Sequence, residues 1–283
     1  MPGTDRHRTA LVVEGGAMRG VFSAGVLDEM LEQGFDPFDL YIGVSAGACN
    51  LASHLAGQLG RNRQIYLDYS CRPEFIGAAK FLRGGHAVDL DWLWDITIRE
   101  IRLDLDMIFG RDETFLVGLT AVDTGEAVYL EPTRDDLEEL LKASSALPFL
   151  YRGFHEIRGQ LVTDGGLADP LPVREVHCRG ARRIMVLRSK PASFRRKHGP
   201  EAWMFGWAFR KYPGLREAMR NRAARYNDAV GFIAGPPADT QIIQVAPPED
   251  LVIGRMTQDR KLLEEAFQNG RQHGRRAIEE FRT

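Results

Sequence analysis

Apolar residues fall along this chain in two alternating spacings. Thr9 to Val13 is a short, nearly continuous apolar run of strand length, followed by the small-residue loop Glu14-Gly15-Gly16-Ala17-Met18-Arg19-Gly20. From Val21 to Gln33 the period changes. Val21, Ala24, Gly25, Val26, Leu27, Met30 and Leu31 recur at helical spacing, and Gly34 ends the helix. Leu40 to Val44 reads as a second buried strand, and Ala46 to Leu59 as a second helix. Strand, helix, strand, helix in that order predicts a parallel sheet with right-handed crossovers.

The later chain is less regular. Phe115 to Val122 and Ala127 to Glu131 predict a hairpin around Asp123-Thr124-Gly125-Glu126, and Arg158-Gly159 marks a second hairpin within Phe154 to Thr163. Arg183 to Leu187 and Gln241 to Val245 read as strands, and Gln258 to Phe281 as a closing helix. No internal repeat, low-complexity tract or linker composition interrupts the 283 residues, so a single domain over 1–283 is expected, its short motifs within 11–172 and a helical, basic-aromatic part over about 191–283.

Composition narrows the function classes. With 44% hydrophobic and 27% charged residues the chain reads as an ordinary globular protein, and a net charge of -2 gives no basic excess for nucleic acid. Cys49, Cys71 and Cys178 are the three cysteines, and none forms a Cys-x-x-Cys pair. A disulfide framework or cysteine-rich zinc site is therefore not expected, and a reducing compartment fits. The polar opening and the Glu14 interruption do not make a secretory signal, and no window approaches the roughly 18 apolar residues of a membrane span. The expectation is a cytoplasmic protein, with peripheral membrane contact left open.

Three short motifs carry the chemistry. Gly43-Val44-Ser45-Ala46-Gly47 lies between a predicted strand and a predicted helix. A nucleophile elbow needs that context: the sharp turn lifts the serine hydroxyl above the sheet, and the flanking glycines avoid side-chain clashes. The alternative is a glycine-rich turn without chemistry. Gly15-Gly16-Ala17-Met18-Arg19-Gly20 also joins a strand to a helix, and its small residues expose backbone N–H groups to an oxyanion or a phosphate. No Lys-Ser/Thr pair follows, so it is not a P-loop, and Ala17 replaces a glycine of the dinucleotide fingerprint. An oxyanion hole is the stronger reading. Asp164-Gly165-Gly166 follows the strand ending at Thr163 and is first a turn signature. A serine elbow, however, needs a proton acceptor, and strand ends at one edge of a parallel sheet are where such sites assemble.

Together the three motifs resemble the patatin-like phospholipase family, which carries a glycine-rich oxyanion loop, a Gly-x-Ser-x-Gly elbow and an Asp-Gly-Gly/Ala turn. Ala143-Ser144-Ser145-Ala146-Leu147-Pro148 resembles a further segment of that family, and the similarity spans Leu11 to Pro172. The chain departs from the pattern at Ala17, where a third glycine is commoner, and at Glu14, where an aspartate is commoner. The resemblance implies a three-layer α/β/α sandwich with a mainly parallel sheet, and a lipid acyl hydrolase acting as a phospholipase A or carboxylic ester hydrolase. It further implies Ser45 as nucleophile and Asp164 as its proton partner. The oxyanion would rest on N–H groups around Gly16 and Ala17, with Arg19 adding positive charge nearby.

Two rival readings follow from the same residues. A Ser-His-Asp esterase would place its histidine after the acid, which leaves His177, His198 and His273. A lipid-binding protein on the same frame would need none of the reactive groups that are present. No Asp-x-Asp-x-Asp-Gly loop and no histidine–acid ligand spacing occurs, so activity without metal or cofactor is expected. Finally, Arg174 to Arg225 is basic, while Asp89 to Glu139 is rich in acids. Phe194, Trp203, Phe205, Trp207, Phe209 and Tyr212 are interleaved with Arg195, Arg196, Lys197, Arg210 and Lys211. This 194–212 segment reads either as a lid or lipid-docking element or as rings covering the core beneath a solvated basic face.

Overall fold

β1 (Arg8–Val13) is buried on both faces from Ala10 onward, and its alternating side chains feed two separate cores. Leu11 and Val13 join one apolar cluster, whereas Ala10 and Val12 join the other. The computed structural model describes residues 8–75, 88–148, 150–151, 153–197 and 209–283.

The sheet grows outward from β1. β2 (Leu40–Val44) lies parallel along one edge and β7 (Ala181–Leu187) parallel along the other, with β8 (Gln241–Val245) parallel beyond β7. β3 (Thr114–Ala121) runs parallel to β2 and forms a hairpin with antiparallel β4 (Ala127–Leu130). β5 (His155–Ile157) and β6 (Gln160–Asp164) form the second hairpin, and β6 pairs antiparallel with β3. Arg158 and Gly159 supply its two-residue turn with φ of 51° and 79°, the left-handed pair such a turn requires.

Helices cover both faces. α1 (Val21–Glu32), α2 (Ala46–Leu55), α6 (Leu137–Ser145) and α9 (Arg260–Arg282) pack on the Leu11 and Val13 side. α7 (Val173–Cys178) and α8 (Pro213–Ala234) pack on the Ala10 and Val12 side. α3 (Arg61–Gln64), α4 (Leu90–Ile101) and α5 (Leu105–Phe109) lie between β2 and β3 in the chain. The result is the expected α/β/α sandwich around an eight-stranded, mostly parallel sheet. α2 stops at Leu55 rather than Leu59, because Gly57 turns the chain at φ +65°. α9 starts one residue after Asp259, whose carboxylate accepts the N–H groups of Lys261 and Leu262 at 3.0 and 3.1 Å.

The C-terminal helix is woven into the frame. A Cβ placed on Gly25 of α1 would lie 2.1 Å from the Phe267 carbonyl oxygen, and one on Gly270 of α9 would lie 2.1 Å from the Phe22 carbonyl oxygen. The two backbones touch there, so only glycine fits on either side.

Candidate active site

Register brings the serine and the aspartate together. Val44, the last residue of β2, pairs with Gly118 of β3, and Asp164, the last residue of β6, pairs with the next residue, Leu119. Gly118 also pairs with Tyr129 of β4, and Leu119 with Val128. β4 therefore occupies one edge of β3, while β2 and β6 share the other edge end to end. Because β2 runs with β3 and β6 runs against it, their carboxyl ends meet head-on. The aspartate thus comes from an antiparallel strand, not from the parallel edge that the sequence suggested. The hairpin with β5 reverses the chain, which is what aims Asp164 back at the serine.

Ser45 occupies the turn between β2 and α2 at φ 55° and ψ −130°, a strained conformation for a side chain. Gly47 makes the turn possible, since a Cβ there would lie 2.3 Å from the Val13 carbonyl oxygen. Gly43 packs as tightly against the Ala48 backbone, and Val44 and Ala46 complete the turn. The Ser45 N–H donates to Ser144 Oγ at 2.8 Å, and Ser144 Oγ donates to the Gly118 carbonyl at 2.6 Å.

Asp164 is buried, and burial raises its carboxyl above the usual carboxylate range. Four neighbours pull the other way: the Gly166 N–H, which donates to its carboxylate at 2.7 Å, the Arg222 guanidinium, the nearby Ser45 hydroxyl and Arg255. Gly165 lies so close to β3 that a Cβ would meet the Gly118 carbonyl oxygen. Arg222, on α8, donates from Nε to the Gly166 carbonyl at 2.7 Å and so braces the same turn.

The glycine-rich loop closes a third side. Ala17 adopts φ 50°, the left-handed conformation that makes glycine common at this place. The Met18 N–H is taken by the Arg255 carbonyl at 3.3 Å and the Arg19 N–H by the Gly16 carbonyl at 3.3 Å. Gly20 lies inside the short 3-10 turn Ala17–Gly20. Of the loop residues, Gly15, Gly16 and Ala17 keep main-chain N–H groups without a hydrogen-bond partner among the described residues. Glu14 anchors the loop from below, its carboxylate accepting the Ser189 N–H at 2.7 Å at the end of β7.

Ser45, Asp164 and the loop face one cleft of about 1340 Å³, counted out to its open mouth. One part of its wall is apolar, with Tyr66, Phe75, Leu90, Leu93, Trp94 and Leu147; another is cationic, with Arg19, Arg196, Arg222 and Arg255. No histidine among the described residues lines it. His177 stacks edge-on against Phe232, His273 bonds to the Asn269 carbonyl, and His198 lies outside the described residues. Among the described residues no cluster of histidine, cysteine or acidic groups could hold a metal ion.

Part of the basic-aromatic segment, 198–208 with Trp203, Phe205 and Trp207, lies outside the described residues. Of the remainder, Phe194 stacks edge-on against Tyr226, while Phe154 meets Tyr212 in the same way and Phe209 is buried beside Leu215. These rings cover the core. No helix among the described residues is long and apolar enough to cross a membrane.

The chain is similar to known proteins over much of its length. A family model described as patatin-like phospholipase matches residues 11–177, more than half of the 283-residue chain. A second, described as a domain of unknown function (DUF6363), matches residues 212–283. The chain is 34% identical over 278 residues to the uncharacterized protein YjjU of Escherichia coli (strain K12), covering 95% of this chain and 76% of YjjU. It is 27% identical over 182 residues to the uncharacterized NTE family protein Rv1063c of Mycobacterium tuberculosis (strain ATCC 25618 / H37Rv), covering 62% of this chain and 47% of that protein. The crystal structure of VipD from Legionella pneumophila overlays with a TM-score of 0.48 at 11% identity, over 97% of this chain and 67% of VipD. The α/β/α fold and the family match define the class, that of lipid hydrolases in general. The chain belongs to the patatin-like phospholipase family.

Sequence reasoning did not assign roles to Ser144, Arg222 or Arg255. Ser144 had a signal, since it lies in the Ala143–Pro148 segment that resembles the family. The two arginines had none, because each reaches the site from far along the chain.

Proposed function

We propose that this protein hydrolyses acyl esters of lipids, with Ser45 as nucleophile and Asp164 as proton acceptor and donor. The observation that carries the reading is the head-on meeting of the ends of β2 and β6 along β3, which puts Ser45 and the buried Asp164 in the wall of one cleft. A serine in a strained elbow beside a lone carboxylate has little use in a passive turn. As a base, a carboxylate near pKa 3.9 is poorly matched to a serine hydroxyl. Burial of Asp164 narrows that mismatch by raising its basicity.

The chemistry then runs through these groups. Ser45 Oγ attacks the ester carbonyl carbon while its proton passes to Asp164. The carbonyl oxygen becomes an oxyanion, which the N–H groups of Gly15, Gly16 and Ala17 are free to receive. As the tetrahedral intermediate collapses, the C–O bond to the alcohol breaks and Asp164 returns the proton to that oxygen. Water attacks the acyl-serine next and gives a proton to Asp164. Collapse then expels Ser45 Oγ, which recovers its proton, and the fatty acid leaves. The apolar wall around Leu90, Leu93 and Trp94 suits the acyl chain.

We also propose that the two matched regions act as one domain, since β8 and α9 share the sheet and core of the first region. The test is hydrolysis of a p-nitrophenyl ester and a phospholipid by wild type, Ser45→Ala and Asp164→Asn. Both variants should lose roughly 10³-fold or more in kcat while remaining folded. A Ser45→Ala protein that keeps its activity would sink the proposal.

A further inference from the structure

A buried amide ties the two halves of the site together. Asn50 lies in the second turn of α2, the helix that starts at Ser45. Its Nδ2 donates to the Gly20 carbonyl at 2.8 Å and to Ser23 Oγ at 3.0 Å. Ser23 Oγ donates in turn to the same Gly20 carbonyl at 2.9 Å. Gly20 ends the 3-10 turn that begins at Ala17, so this contact sits at the far end of the glycine-rich loop. The near end is held differently. A Cβ on Gly15 would lie 2.7 Å from the Val44 carbonyl oxygen, so that end rests directly on the backbone of the elbow.

The orientation of the amide follows from its partners. A carbonyl can only accept, so the nitrogen of Asn50 must face Gly20. Its oxygen then faces the hydroxyl of Tyr66, which donates to Oδ1 at 3.2 Å. Tyr66 belongs to the π-helical turn Ile65–Tyr69, a rare geometry that recurs at functional sites. A Cβ on Gly20 would lie 2.3 Å from the Tyr66 hydroxyl oxygen, so glycine is what lets that hydroxyl seat there. Asn50, Ser23 and Tyr66 are all buried. Both N–H bonds of the Asn50 amide are thus used, in an interior where an unmet one would be costly.

What this contact holds is strained. Ala17 keeps φ 50° and Ser45 φ 55°, conformations that a residue with a side chain retains only where its surroundings impose them. The free N–H groups of Gly16 and Ala17 lie between the two anchored ends of the loop. Such donors stabilise an oxyanion only when they are fixed where its charge develops. Taking the ester hydrolase reading as given, we infer that Asn50 is a positioning residue. Through Gly20 it fixes the oxyanion loop against the helix of the nucleophile, and Tyr66 orients its amide. Because both its N–H bonds are committed to Gly20 and Ser23, its effect reaches the oxyanion through the loop.

The experiment compares wild type, Asn50→Leu and Tyr66→Phe in hydrolysis of a p-nitrophenyl ester and in inhibition by an alkyl trifluoromethyl ketone. Ser45 Oγ adds to the ketone carbonyl carbon, the serine proton passes to Asp164, and the carbonyl oxygen becomes an oxyanion with no leaving group to expel. Affinity for the ketone therefore reports on the oxyanion hole. Asn50→Leu should lower kcat about 10- to 100-fold with KM within about twofold of wild type, and should weaken the ketone by a similar factor. Tyr66→Phe keeps the ring and should cost about threefold in both readouts. A protein that merely folds less well loses active sites, which lowers kcat but leaves the ketone affinity of the remaining sites unchanged. Full kcat in a folded Asn50→Leu, a loss carried by KM, or a kcat loss without a matching loss of ketone affinity would each overturn the inference. Should Asn50→Leu not fold, Tyr66→Phe decides alone, and unchanged kcat and ketone affinity there would overturn it. An inactive wild type defeats the proposed reaction and this inference together, whereas an active wild type with an unaffected Asn50→Leu defeats the inference only.

Discussion

Ser144 Oγ accepts the main-chain N–H of Ser45 at 2.8 Å and donates its own proton to the Gly118 carbonyl at 2.6 Å. The ladder between β2 and β3 ends at Val44 and Gly118, and the chain then turns away to place Ser45 in its elbow. The turn would strand one donor and one acceptor in the interior, and the fully buried Ser144 joins them. Ser144→Ala should therefore leave two buried groups unpaired and cost about 2–4 kcal/mol, read from urea denaturation. Ser145→Ala is the comparison, because its hydroxyl returns to the Leu141 carbonyl one turn back in the same helix. It should cost less than about 1 kcal/mol. Similar losses in the two variants would mean that the bridge does not hold the elbow.

Asp164 must be ionised to take a proton from Ser45, so activity should fall as pH drops through its folded pKa. Burial raises that pKa, which puts the acid limb of kcat/KM above the ordinary carboxylate value of about 4. Arg222 pulls the pKa down. Arg222→Met removes the cation that favours the charged form, so the limb should move to higher pH. Loss of the Arg222 bond to Gly166 will also weaken the fold, but a weaker fold does not by itself shift the limb upward. A limb that stays in place, or moves to lower pH, would count against Asp164 as the proton acceptor.

The strand-turn-helix around Ser45 was legible because each part has a local signature: an apolar run, a Gly-x-Ser-x-Gly turn and a helical period. Asp164 was legible only by association, since Asp-Gly alone marks a turn. Its antiparallel approach was hidden, because register between β3 and β6 joins residues more than 40 positions apart. The bounds of helix α8 were not legible in the sequence, which marked only a helical, basic-aromatic stretch over about 191–283. Its buried face, with Leu215, Ala218, Met219 and Tyr226, keeps helical spacing, but arginines crowd between those positions and the segment reads as basic. Ser144 bonds to a residue 99 positions away and Arg222 to one 56 away, distances at which local pattern carries no information.

The α1–α9 crossing offers a test of packing that leaves the site alone. A methyl on Gly25 would press into the Phe267 carbonyl and force the helices apart, so Gly25→Ala should cost about 1–3 kcal/mol or more. A methyl added to Gly231 on α8 would meet nothing within 4 Å, and the backbone there is ordinary helix. At that position alanine should raise stability by about 0.5–1 kcal/mol through better helix propensity. Thermal denaturation of the two variants should therefore move in opposite directions. Parallel shifts would show that the close approach of α1 and α9 is not what requires glycine.

Asp28 gives a stability prediction with a defined pH window. It is buried on α1, 3% exposed, and its carboxylate accepts the Gly60 N–H at 3.0 Å. Burial raises its pKa from 3.8 to about 6, against the opposing pull of the Gly60 N–H, Arg271, His54 and Arg63. The folded state thus binds this proton more tightly than the unfolded chain does. Ionising Asp28 costs stability progressively as pH rises from about 4 to about 6, and the full cost persists above that. Asparagine keeps an oxygen for Gly60 and never ionises. Asp28→Asn should accordingly be nearly neutral at pH 4 and stabilising by about 1–3 kcal/mol at pH 8, with Tm rising only in the second case. An equal change at both pH values would mean that packing, not charge, sets the effect. A lower Tm at pH 8 would mean that the ionised carboxylate, held by Gly60 and the neighbouring cations, is a net stabiliser of α1.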